Sequence, residues 1–299
     1  MKRDAMPSLP ALAEAAVRWP GRLQLDARLE GGATRLRAEH QGPLRLLKTL
    51  YPEGERIAHA VLLHPPGGLV GGDRLDIGLR LEPGAHLLLT TPAATRFYRS
   101  AGLDATQCVQ ACVGEGARLE YLPQETLAYA GCLARNEARL RLEGPGSALM
   151  ACELLALGLP EAGQAFERGR LLQHLQVEGL WLDRGLIAAE DRALLDGPCG
   201  LAGRRVLGTL VYAQHDRLGL GTAALEALLE RSRTLLEQAA RAHPALLGGV
   251  SALQGPRLLV ARVLADETEP AQRLLRGLWS LWRTLIWGLP SVAPRVWAL

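Results

Sequence analysis

The stretch GRLQLDARLE, Gly21 to Glu30, sets Leu23, Leu25, Ala27 and Leu29 in alternation with Arg22, Gln24, Asp26 and Arg28. Successive side chains of an extended chain point to opposite faces, so this period of two predicts a half-buried strand. The pattern recurs in ATRLRAEH (33–40), RIAHAVLLH (56–64), RLDIGLRLE (74–82) and AHLLLTTP (85–92). It continues through ARLEYLPQ (117–124), ARLRLEG (138–144) and ALMACELLALG (148–158). Glycine and proline clusters such as EGG, QGP, PPGG, EPG and EGPG separate these stretches at irregular intervals of about a dozen residues. Many short strands with such punctuation predict a mainly β chain, as a sandwich, barrel or solenoid. No motif repeats at a fixed period, so the sequence by itself does not indicate a regular solenoid.

The last third reads differently. TAALEALLERSRTLLEQAARA (222–242) places Leu225, Leu228, Leu229, Leu235, Leu236 and Ala239 on one face at helical spacing, opposite Glu226, Glu230, Arg233 and Glu237. ALLGGVSALQGPRLLVARVLAD (245–266) reads as a strand pair around a QGP turn. PAQRLLRGLWSLWRTLIWG (270–288) predicts a second helix, with Pro270 in its first turn and Thr268 or Glu269 as its cap. Its leucines form a wide stripe that Trp279, Trp282 and Trp287 extend. That surplus of apolar surface fits either deep burial or a partner-binding face. No linker-like segment interrupts the chain, so we expect an extension over 1–20 followed by one β-rich domain over 21–299 with two helices.

Composition narrows the class. The 299 residues are 48% hydrophobic and 22% charged, an ordinary globular balance. The net charge of +3 comes without any run of like charges, which argues against nucleic-acid binding. Prolines and Glu14 break the start of the chain as a secretory signal, and no apolar run reaches the roughly 18 residues of a membrane span. Five irregularly spaced cysteines do not read as a disulfide framework, and the expected compartment is the cytoplasm.

Catalytic signatures are missing. The sequence has no GxSxG elbow, Walker-A loop, HExxH or CxxC. HPPGGLVGGDR (64–74) is glycine-dense but lacks the lysine and the following helix of a phosphate cradle. Cys108 and Cys112 have no second ligand pair and read as buried small hydrophobes. His64 and His86 fall at strand edges, with structural or surface roles. A carbohydrate-active enzyme would need aromatic sugar platforms, and aromatics make up only 4%. The carboxylates are more informative. Glu153 lies in the almost wholly apolar MACELLALGLP, Asp73 follows a Gly-Gly turn, and Glu125 and Glu190 have apolar flanks. A buried carboxylate must be paired, protonated or set in a wet cavity. Pairing with Arg96, Arg99 or Arg135 is one reading; oxygen ligation of a cation such as Ni²⁺ is the other.

Four segments in order carry a resemblance: HPPGGLVGGDRL (64–75), TPAATRFYRS (91–100), LPQETLAYAGC (122–132) and PRVWAL (294–299). LKTLYPEG (47–54), ELLALGLPEAGQAF (153–166) and VLGTLVY (206–212) support it. The chain resembles the UreD/UreH family of urease accessory proteins from about Gly21 to its last residue.

The resemblance implies a mainly β fold with two α-helices, a stacked-sheet, β-helix-like single domain. It implies a non-enzymatic chaperone for metallocentre assembly, acting with UreF and the GTPase UreG on the urease apoprotein while UreE donates nickel. No cofactor is then held permanently, and Ni²⁺ is a transient cargo. An internal passage lined by carboxylates and hydroxyls would let the ion enter and leave, where a cysteine-rich site would trap it. The alternative is a purely structural adaptor bridging UreF to urease. Carried onto this sequence, the lining positions are Asp73, Thr90, Thr91, Ser100, Glu125, Glu153 and Glu190. Gly67, Gly68, Gly71 and Gly72 would shape the backbone around Asp73. Trp279, Trp282, Trp287 and Trp297 would form a UreF-facing surface.

Overall fold

The computed structural model describes residues 19–159, 162–216, 221–253 and 257–298. The first strands are β1 (Trp19–Glu30), β2 (Ala33–Gln41), β3 (Arg45–Leu46), β4 (Ile57–Leu63), β5 (Asp73–Leu81) and β6 (His86–Thr90). Next come β7 (Thr95–Phe97), β8 (Ala105–Val113), β9 (Arg118–Leu122), β10 (Thr126–Ala128), β11 (Cys132–Leu142) and β12 (Ala148–Leu159). The last are β13 (Gln164–Ala165), β14 (Gly169–Val177), β15 (Trp181–Ala188), β16 (Val206–Gln214), β17 (Leu247–Leu253) and β18 (Leu258–Ala265). The helices are α1 (Arg192–Asp196), α2 (Thr222–Ala242) and α3 (Thr268–Trp287).

The strands form two stacked sheets. One runs β15-β14-β11-β8-β5-β1-β2, the other β17-β18-β16-β12-β9-β6-β4-β3. Between β4 and β14 the chain alternates between them, so each circuit adds one parallel strand to each sheet. The short β10 pairs with both β7 and β12, lining one corner of this flattened coil. Antiparallel strands close the ends, β2 and β15 on the first sheet and β16 to β18 on the second. The apolar sets read from the sequence, such as Leu23, Leu25 and Ala27, face into the space between the sheets.

A second apolar cluster lies on the other face of the second sheet. There Leu88, Met150, Leu210 and Tyr212 meet Leu228 and Leu236 of α2 and Leu274, Leu275 and Leu278 of α3. α2 spans the residues its periodicity predicts. α3 starts two residues earlier than expected; Glu267 is its N-cap, replacing Thr268 or Glu269, and makes no side-chain cap bond. Its C-cap, Gly288, takes the left-handed conformation (φ 65°) that favours glycine there. α1 is an addition to the two expected helices, capped by Asp191, whose side chain accepts the N–H of Leu194. The expected extension falls on residues outside those described, except that β1 already begins at Trp19; the QGP turn at 254–256 also lies outside them. Among the described residues no helix is long and apolar enough to cross a membrane.

The proposed tryptophan surface needs correction. Trp279 and Trp282 are buried, because the stripe of α3 is wide enough to pack on the sheet and on α2 at once. Trp282 Nε1 donates to Ser232 Oγ of α2 at 3.0 Å. Trp287 and Trp297 are partly exposed.

Candidate functional site

A polar layer crosses the space between the sheets. Gln107, Asn136 and Gln173 are register partners on β8, β11 and β14, on the inward face among alanines, valines and leucines. Gln107 Nε2 donates to Asn136 Oδ1 (3.2 Å), and Asn136 Nδ2 donates to Gln173 Oε1 (3.3 Å). Gln173 Nε2 then donates across the gap to Glu153 Oε2 of β12. On the second sheet Glu153 is the register partner of Thr209, and Thr209 that of Arg262. Arg262 returns to the first sheet by an ion pair with Asp183 at 2.8 Å.

Cavities lie at both ends. The Gln173 end meets a cavity of about 470 Å³ between β15 and the β17–β18 pair, where Asp183 and Arg262 are its charged lining. Added Cβ atoms at Gly185 and Gly249, on its wall, would meet nothing within 4 Å, so these glycines keep it wide. The Gln107 end borders a cavity of about 60 Å³ lined by His64, Gly67, Gly68, Thr91 and Thr95.

Glu153 is the electrostatic centre of the layer. Burial pushes its carboxyl well above the ordinary range, and the charge of Asp183 pushes the same way. It forms no ion pair among the described residues. Burial, with Glu153 nearby, pushes the Cys152 thiol up to about 12 and also raises Tyr121. The shift favours the neutral carboxyl, in the direction that lessens the cost of an unpaired interior charge. The layer offers amide, carboxyl and hydroxyl oxygens, the donor type that suits hard divalent cations. Among the described residues no group of three or more His, Cys, Asp or Glu is placed to hold a metal.

The sequence-derived positions separate. Glu153 lies in the layer and Thr91 lines the smaller cavity. Asp73, buried at the start of β5, accepts the Val70 N–H at 2.9 Å. It opposes the effect of burial on His64, whose pKa is lowered overall. Thr90 does not reach the layer: it faces the helices, donating to Leu122 O (2.6 Å) and accepting from Trp297 Nε1 (2.9 Å). Ser100 closes a turn through Leu103 O and Gly102 N–H. Glu125 lies outside the two-sheet space and accepts Gln272 Nε2 at 3.1 Å, while Glu190 is exposed. None of these carboxylates pairs with Arg96, Arg99 or Arg135; Arg135 pairs instead with Glu137. Gly67 and Gly72 adopt positive φ, and a Cβ at Gly68 or Gly71 would overlap Tyr98 or Ser100.

The three internal motifs stack as successive corners of the coil. Leu69 bridges Phe97, Thr95 pairs with Thr126, and Tyr129 N–H donates to Phe97 O at 3.0 Å. Residues 20–298 match the model of a family described as UreD urease accessory protein. A protein of Paracidovorax citrulli named urease accessory protein UreD is 49% identical over 281 residues, covering 94% of this chain and 99% of that protein. Proteins of the same name from Leptothrix cholodnii and Variovorax paradoxus are 49% and 45% identical, covering 93% and 94% of this chain and 99% of each relative. The chain belongs to the UreD family.

This UreD-family chain has a second polar cluster that sequence reasoning missed. Arg283 of α3, fully buried, donates to Glu53 (Nη1 to Oε2, 2.7 Å) and to Glu120 of β9 (Nε to Oε1, 3.2 Å). Glu53 also meets His59 Nε2 at 2.7 Å, and Glu120 meets His86 Nε2 at 2.7 Å and Trp279 Nε1 at 2.5 Å. Burial opposes ionisation of both carboxyls. The hydrogen bonds and charges of their histidine and arginine partners outweigh it and hold both below the ordinary range. In the sequence Arg283 lies within the helix predicted over 270–288 and Glu53 within LKTLYPEG, with no pattern that singles out either. His86 is correspondingly a buried partner of Glu120 rather than a surface group.

Proposed function

We propose that this chain is a non-catalytic urease maturation factor that works in the cytoplasm with UreF and the GTPase UreG on the urease apoprotein. In this reading nickel, supplied through UreE, is cargo that crosses the polar layer between the two sheets. The observation that carries it is the row Gln107–Asn136–Gln173–Glu153, a continuous polar path through an otherwise apolar interior with a cavity at each end. Neutral amide oxygens and one titratable carboxyl bind a divalent ion without trapping it.

The test is a pull-down of the tagged chain from cells co-expressing UreF, UreG and apo-urease, with urease activity assayed with and without the chain. Co-purification with UreF and loss of activation on omission support the maturation role. Asn136→Leu and Glu153→Ala then separate the two forms of the proposal. Lost activation with the complex intact supports passage through the layer; full activation leaves a bridging adaptor.

A further inference from the structure

The outer face of the first sheet carries an apolar patch ringed by arginines where β11, β14 and β15 lie side by side. Leu182 and Leu186, four residues apart on the edge strand β15, are each 54% exposed. They point away from the core, since Ile187 and Trp181 on the same strand face inward. Leu172 of β14 is the register partner of Leu186 and joins the patch. Arg135 is the register partner of Leu172, Arg139 neighbours Gln176, which neighbours Leu182, and Arg184 stands between the two exposed leucines. Arg170 completes the ring. Arg135 and Arg139 share Glu137, and Arg170 reaches Asp104 at 3.4 Å. Arg184 forms no ion pair among the described residues. The ring thus holds two more cations than anions on a chain whose whole net charge is +3.

Exposed large apolar side chains on an edge strand are a liability unless something covers them. Arginine around an apolar centre is the composition of a protein-docking patch. A second copy of this chain would bring the same excess of positive charge to a two-fold contact, and a nucleic acid would leave the leucines uncovered. We propose that this patch docks a folded protein partner presenting acidic groups around an apolar centre. The proposal rests on the accessory role above, which supplies the proteins to be tested.

Binding of the purified chain to UreF and to the urease apoprotein, each measured separately by biolayer interferometry at low and high salt, provides the test. Arg184→Glu with Leu186→Asn changes only exposed side chains. The expected result is about a tenfold or greater loss of affinity for one of the two partners, and wild-type binding to that partner that weakens with salt. Leu47→Asn, an exposed leucine beside β3 at the opposite end of the other sheet, leaves both affinities unchanged. Unchanged affinities in the double variant, or equal weakening by Leu47→Asn, overturn the docking patch while leaving the accessory role standing. Failure of the wild-type chain to bind either partner overturns both.

Discussion

Arg283 and Glu120, neither with any exposed side-chain surface, meet at 3.2 Å between α3 and β9. Two buried ions are stable there because each has further partners: Glu53 and the Pro290 carbonyl for Arg283, His86 and Trp279 for Glu120. Removing the guanidinium takes the one full cation from two interior carboxylates and leaves them only histidine and indole partners. Arg283→Ala is therefore expected to lower unfolding free energy by about 3–5 kcal/mol. Urea denaturation measures this directly, and a loss below about 1 kcal/mol would mean the cluster adds little more than a surface pair.

The pH dependence of stability has two arms of opposite sign. The folded pKa values of Glu53 and Glu120 lie below the unfolded ones, so their contribution is present above the ordinary carboxylate range and is lost as pH falls through the folded values. Glu153 is raised, so its contribution is full below the ordinary range and declines as pH rises toward its folded value. Tm measured across acid to neutral pH should show Glu153→Gln flattening the neutral-side decline and leaving the acid-side loss. The same slopes in variant and wild type would contradict the assignment.

Gly185 and Gly249 can accept side chains without overlap, and their φ angles are not in the left-handed region. Gly249→Leu is expected to leave Tm unchanged or slightly raised while narrowing the 470 Å³ cavity and lowering the nickel content of urease matured with it. Gly71→Ala behaves oppositely. Its Cβ would overlap Ser100 Oγ and lie 2.8 Å from the Leu103 carbonyl, so the protein melts lower.

Trp297 ties the C-terminal turn to Thr90 through its indole N–H and lies 4.2 Å from the guanidinium carbon of Arg276. Trp297→Phe keeps an aromatic ring, though a smaller one, and loses the hydrogen bond, costing about 1 kcal/mol. Trp297→Ala loses both and costs about 2–3 kcal/mol. Equal effects of the two substitutions in thermal melts would assign the whole contribution to the hydrogen bond.

The strands were legible because each buries one face, as Leu23, Leu25 and Ala27 do, and α2 because its leucines recur at helical spacing. The winding was legible only through the family resemblance and not in the strand pattern, since consecutive strands such as β5 and β6 enter different sheets and pair with strands a whole circuit away. The polar layer was half legible. Glu153 is conspicuous within an apolar run, whereas Gln107, Asn136 and Gln173 are 29 and 37 residues apart and meet only through register. Thr90 and Thr91 show the limit of motif transfer: Thr90 faces the helices and Thr91 the smaller cavity. Arg283 and Glu53 are 230 positions apart, and no local pattern joins them.

The most direct test of nickel passage between the sheets is the nickel content of urease purified from cells in which Asn136→Leu replaces the wild-type chain, with assembly monitored by pull-down. Asn136 sits midway along the amide row and bonds to both neighbours. The expected result is urease depleted of nickel while the chain still co-purifies with UreF and urease. Fully loaded urease from an intact complex would contradict passage through the layer.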